Sequence, residues 1–143
     1  MIDLHPQLAQ DTRRIGHFPL CQLLILLDAN YPWFILLPDR EGITEIHQLS
    51  DEDQQQFIRE SSLLASTLAE LFKADKLNVA ALGNVVPQLH IHHVVRYRHD
   101  PAWPAPVWGA VPRKSYAPDE LDERIQQVMA ALPVAGNTAF SPE

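Results

Sequence analysis

Two nearly continuous apolar runs, Leu20–Leu27 and Trp33–Leu37, flank the segment Asp28-Ala29-Asn30-Tyr31-Pro32. Asp, Asn and Pro favour turns, so the pair predicts a hairpin. Neither run alternates with polar residues, which predicts strands covered on both faces. Further on, Ser50 can cap a helix whose first turn, Asp51-Glu52-Asp53, suits the positive end of the helix dipole. Phe57, Ile58, Leu64, Leu68, Leu71 and Phe72 then recur at helical spacing to about Lys73. Leu77–Leu82 reads as a strand, Gly83–Pro87 as a break, and Gln88–Tyr97 as extended chain again. Asp100–Pro112 holds four prolines and two tryptophans and predicts no regular element, whereas Pro118–Leu132 has helical spacing at Leu121, Ile125, Val128 and Met129.

The less patterned stretches complete the outline. The first dozen residues read as a short helix or irregular arm, and Ile43–His47 as a short strand or extended link. Strands, helix, strands, loop, helix is the order of an α+β domain with an antiparallel sheet of about five strands, one long helix and a C-terminal helix. A single domain over residues 1–143 is expected, with an N-terminal arm at 1–19, a Pro/Trp-rich loop at 100–117 and the last helix at 118–132. No repeat or low-complexity segment interrupts it.

Composition narrows the function. With 46% hydrophobic and 20% charged residues, the chain is too apolar for a disordered one. A net charge of −7 argues against a sequence-independent nucleic-acid binder, which needs a basic face to displace counterions. Cys21 stands alone, which excludes an internal disulfide and fits a reducing compartment. The longest apolar runs are too short to span a bilayer, and Met1-Ile2-Asp3-Leu4-His5 shows no secretory pattern, so a cytoplasmic protein is expected.

Three of the seven histidines crowd into Gln88-Leu89-His90-Ile91-His92-His93-Val94. Strand side chains alternate, so Gln88, His90 and His92 project to one face and Leu89, Ile91 and His93 to the other. Two residues of rise set the same-face imidazoles roughly 6.5–7 Å apart. That spacing suits one ring attacking a substrate while the other holds or protonates a neighbouring oxygen. It also suits metal binding, since His-x-His is a ligand pair. A cupin-like site would want a glutamate four or five residues on, where Arg96 and Tyr97 stand.

The segment resembles the motif of the histidine triad (HIT) family, His-φ-His-φ-His-φ-φ with φ apolar. The likeness extends from about Leu20 to Trp108 and includes the hairpin with Asp28, the long helix, Asn78, and Gly83-Asn84 before the histidines. It implies a HIT-like fold and hydrolysis of a nucleoside phosphoramidate or dinucleoside polyphosphate through a nucleotidyl–histidine intermediate. His90 corresponds to the nucleophile and His92 to the residue beside the phosphate and leaving group. Gln88 replaces the first histidine: it can orient His90 or contact phosphate but cannot titrate. Asn84 matches a phosphate contact and Asp28 a ribose ligand, although Asp28 equally fits a plain turn former. Asn78, Trp103 and Trp108 are candidates for a second layer, lid or subunit contact, and Leu20, Ile25 and Leu27 for a base pocket.

The resemblance further implies a nucleotide ligand and a homodimer. It requires no metal or other cofactor, with magnesium accompanying a polyphosphate substrate. Two other readings stand beside it: a nucleotide-binding module without turnover, and a metal-dependent enzyme using His90 and His92 as ligands. His93 is expected on the far face of the strand. His99 with Arg96 and Arg98 reads as a solvated basic group or a phosphate-steering one.

Overall fold

The computed structural model describes residues 1–143. A short helix α1 (Pro6–Asp11) leads into β1 (Thr12–His17), β2 (Cys21–Leu26) and β3 (Trp33–Pro38). A 3₁₀ turn at Ile46–Gln48 precedes the long helix α2 (Asp51–Phe72), β4 (Lys76–Ala80), β5 (Ile91–Arg96), α3 (Pro118–Ala131) and β6 (Ser141–Pro142). The strands make one antiparallel sheet in the order β4-β5-β3-β2-β1-β6. The architecture is the α+β one with an antiparallel sheet.

The central strands are where the unbroken apolar runs placed them. Every residue of β2, β3 and β5 is buried. Their side chains sort by parity. Cys21, Leu23, Ile25, Phe34, Leu36, Ile91 and Val95 face the two long helices in the larger core cluster. Leu24, Leu26, Trp33, Ile35, Leu37 and Val94 face the other way into a smaller cluster with Leu8, Val86 and Val107.

The helix side is closed. Ser50 caps α2 by accepting from the Asp53 N–H at 3.1 Å, and the helix stops at Lys73 in the left-handed conformation. Its buried stripe of Phe57, Leu64 and Leu68 lies on the sheet beside Leu121, Ile125 and Val128 of α3. Glu60 is also fully buried in that stripe. Its carboxylate accepts from the Leu20 and Cys21 N–H groups at 2.9 and 2.8 Å, tying α2 to the entry of β2. Those charge-assisted bonds offset the cost of burying it. Burial and the nearby Glu60 raise the Cys21 thiol well above its usual pKa, so it is an inert core residue.

Three differences from the sequence reading have plain causes. Thr12–His17 is a strand rather than part of an arm. Its polar run TRRIGH carries no strand pattern, and its pairing with β2 and β6 makes it one. Gly16 permits that pairing, because a Cβ there would sit 2.2 Å from the Ser141 carbonyl oxygen and 2.5 Å from Phe140 Cζ. The sheet therefore has six strands, the last being two residues long. Finally, Ile43–His47 is not a strand: it is a link with Glu45 extended until a 3₁₀ turn forms from Ile46, braced by Gln48 Oε1 accepting from the Thr44 and Glu45 N–H groups.

Arg96 organises the irregular segment after β5. It is 1% exposed, not part of a solvated basic group. Its guanidinium donates to both carboxylate oxygens of Asp100, at 2.8 and 3.1 Å, and to Asn78 Oδ1 and the Ala105 carbonyl. Asp100 in turn accepts from the N–H groups of Tyr97, Ala102 and Trp103. A buried pair this fully hydrogen-bonded fixes the path of a loop that has no ladder of its own. His99 stacks instead on Tyr97, ring centroids 5.1 Å apart.

Candidate active site

The smaller-cluster face of the sheet is covered by loops, α1 and the N-terminal arm, and there a cavity of about 360 Å³ remains open. His90 and His92 both border it. The regular strand is shorter than the expected Gln88–Tyr97 and begins at Ile91, so His92 projects from β5 and His90 from the residue just before it; their ring centroids are 4.9 Å apart. His93 points the opposite way, beneath α2, with no exposure at all. Its Nε2 is 2.7 Å from Ser61 Oγ and its Nδ1 3.1 Å from the Ile91 carbonyl.

Each cavity imidazole is held through Nδ1. That of His90 lies 2.7 Å from the Gln88 carbonyl oxygen, which can only accept, so His90 carries its proton there and keeps the Nε2 lone pair. That of His92 accepts from the Trp33 indole N–H at 2.9 Å. Trp33 sits two residues before Ile35, the β3 partner of His92, and hence on the same face of the sheet. The Trp108 ring, 5.2 Å away, packs edge-on against His92.

Burial holds all three histidines in the neutral form. It lowers the His90 pKa, partly offset by the Gln88 carbonyl bond. It lowers His92 to about 3, with help from the neighbouring histidines, and His93 to about 4. A neutral imidazole with a free lone pair beside a cavity is a nucleophile or base at neutral pH.

The other sequence candidates divide. Asn84 lies exposed on the cavity wall, in the loop between β4 and β5. Gln88 belongs to the motif, but its side chain is turned to the arm: Oε1 accepts from the His5 N–H at 2.7 Å and Nε2 donates to the Asp3 carbonyl at 2.9 Å. Asp28 does not line the cavity. Its Oδ1 accepts from the Asn30 N–H and side-chain amide and from the Lys114 N–H, which is the turn-forming use. Asn78 buttresses Arg96, and Trp103 lies 5.5 Å from the same guanidinium, so only Trp108 of the aromatic pair reaches the cavity. Leu20, Ile25 and Leu27 face the helices; one step of alternation gives the cavity Leu26, Ile35 and Trp33 instead.

Sequence reading missed three contributors: Trp33, α1 with Leu8, and Arg113. Arg113 brings positive charge to the cavity, where it pairs with Asp11 at 3.0 Å. Asp28 and Asn30 bond the residues on either side of it, Lys114 and Pro112. Only the start of β3 could have pointed to Trp33, and only its strand pairing shows what it touches. No group of three or more His, Cys, Asp or Glu side chains is placed to hold a metal ion, so the pair His90/His92 lacks a third such ligand. No helix is long and apolar enough to cross a membrane.

Comparison with known proteins agrees with this geometry. Residues 7–99 match the family model of the HIT domain. A histidine triad protein from Marinobacter aquaeolei is 47% identical, with 92% of this chain and 96% of that one aligned at a TM-score of 0.89. One from Bradyrhizobium japonicum is 43% identical over 90% and 96% of the two chains, also at 0.89. One from Sinorhizobium meliloti is 37% identical over 91% and 96%, at 0.88. Among curated proteins no match is found. The domain match, these three structures and the paired histidines at the cavity place the chain in the HIT family.

Proposed function

We propose that the protein hydrolyses a nucleoside phosphoramidate or dinucleoside polyphosphate in two displacements on an α-phosphate. The observation that carries this is the His90 ring, whose Nδ1–H is engaged by the Gln88 carbonyl while the ring borders an open cavity beside His92. His90 Nε2 forms a bond to phosphorus as the bond to the leaving group breaks. Water then cleaves the P–N bond, releasing a nucleoside monophosphate and the free imidazole. Splitting one hard displacement into two lowers the barrier of each. His92 meets the charge on the phosphate or leaving group, and Asn84 and Arg113 supply donors for the remaining oxygens. Gln88 contributes through its backbone carbonyl rather than its amide.

The cavity wall of Leu8, Leu26 and Ile35 suits a nucleobase. The proposal extends to a homodimer, since β4 is an outer strand of the sheet with Val79 exposed, a place where a second copy can continue the ladder. It extends to a cytoplasmic location, in keeping with the free, buried thiol of Cys21.

The test is incubation of the purified chain with adenosine phosphoramidate and with diadenosine polyphosphates, following products by phosphorus NMR and trapping the adduct by rapid quench. Adenosine monophosphate and a label on His90 are expected. Saturable binding without product or adduct would mean a nucleotide-binding module, and activity abolished by a chelator with the phosphoramidate would mean a metal-dependent enzyme.

A further inference from the structure

We propose that Trp33 is a positioning residue that keeps the ring proton of His92 on Nε2, so that His92 meets the substrate as a neutral hydrogen-bond donor. This rests on the reading of the His90/His92 cavity given above. An indole N–H only donates, and a neutral imidazole has one bare nitrogen and one protonated nitrogen. With the Trp33 N–H directed at Nδ1 at 2.9 Å, the bare nitrogen is Nδ1 and the proton stays on Nε2. Flipping the ring would set a C–H against the indole and orphan its N–H, since Trp33 is 5% exposed. The flip is also opposed by packing: His92 lies edge-on between Trp33 and Trp108, at 5.7 and 5.2 Å.

The result is a pair of neighbouring rings in opposite states. In His90 a carbonyl takes the Nδ1 proton, leaving Nε2 with a lone pair. In His92 an N–H fills the Nδ1 lone pair, leaving Nε2 with a proton. His90, just before β5, and His92 within it thereby offer one attacking nitrogen and one donor nitrogen, both fixed by groups outside the chemistry. The consequence for mechanism is definite. If the neutral His92 gave up its only ring proton it would become an imidazolate, and the indole is too weak an acid to replace that proton. His92 therefore stabilises a phosphate or leaving-group oxygen by hydrogen bonding, and any proton needed by a departing amine comes from solvent.

Histidine nitrogen NMR on the full chain tests this without any substrate. The expected result is a bare, acceptor-type Nδ1 and a protonated Nε2 on His92, with a through-hydrogen-bond coupling between Trp33 Nε1 and His92 Nδ1. A protonated Nδ1 would overturn the proposal whether or not the protein is an enzyme. Trp33→Phe keeps an aromatic ring, smaller than the indole, and removes the N–H. It is expected to give a mixture of His92 tautomers and to lower kcat by about tenfold with KM little changed. A variant with wild-type tautomer and wild-type kcat would refute the assignment; if it does not fold, the wild-type spectrum alone decides. Absence of turnover and of a His90 adduct would refute the proposed function instead, and leave the spectrum to judge Trp33.

Discussion

His93 and His92 are adjacent on one strand, equally apolar in their sequence setting, and yet they meet opposite environments. His93 lies under α2, in the face of the sheet closed by two amphipathic helices, where its ring is matched to Ser61 and sealed from water. His92 lies on the face covered by α1, the N-terminal arm and the loop after β5, where a cavity persists. Continuous helices present a full apolar stripe and pack to closure. Loops and a six-residue helix cannot, and must be pinned one hydrogen bond at a time, by Gln88 to the arm and by Arg96 and Asp100 to the loop. The face that is harder to cover is the one left with room for chemistry.

The contrast can be broken most sharply at His90. His90→Ala should lower turnover of the phosphoramidate by roughly 10³-fold or more, about 4 kcal/mol in the barrier, while the melting temperature stays near wild type. Retained turnover would show that the open face is not the reacting one.

The closed face should instead announce itself in stability against pH. His93 has its pKa lowered to about 4 in the fold, against the ordinary 6.5. The unfolded chain therefore takes up a proton that the folded one refuses, and stability falls as pH drops from 6.5 toward 4. Its share is about 3 kcal/mol, levelling off below pH 4. His92, lowered to about 3, and His90 steepen the same slope, so the share of His93 is read as the difference between wild type and His93→Gln in urea unfolding across that range. The variant should have the shallower slope; an unchanged slope would contradict the sealed environment. On the open face the lowered His90 pKa has a catalytic sign instead. The lone pair survives below pH 6.5, so the acid limb of kcat/KM should lie under that value.

Leu64 is fully buried between α2 and the sheet. Leu64→Ala should cost about 3 kcal/mol in urea unfolding with kcat per folded molecule unchanged. The mildest effect is expected at Gln88. Gln88→Ala should speed amide exchange of the Ile2–His5 backbone by roughly tenfold, as the two side-chain bonds to the arm are lost. Turnover should persist, because the carbonyl that orients His90 belongs to the backbone.

How far the chain could be read before folding follows from the range of each interaction. The β2/β3 hairpin, the capped α2 and the shared side of His90 and His92 are local: turn residues, a serine cap and the two-residue period of a strand settle them within a few positions. β1 was illegible because its residues are polar and its strand character is lent by β2. Arg96 looked like surface charge because its partners Asn78 and Ala105 lie beyond any periodic pattern. Of the base-pocket candidates, Ile25 and Leu27 miss the cavity by one step of alternation, a slip that reverses a whole face, and Leu20 lies before β2 begins.

From the sequence alone came the two-sided burial of the central strands, the pairing of two imidazoles, and the family likeness that singles out one of them as the proposed nucleophile. The folded chain decided the rest: which nitrogen of each ring is free, which loop walls the cavity, and where Gln88 spends its amide. The reason is distance along the chain. Period and propensity act over neighbouring residues, whereas the indole that holds His92 comes from a residue 59 positions away and arrives only when β3 pairs with β5.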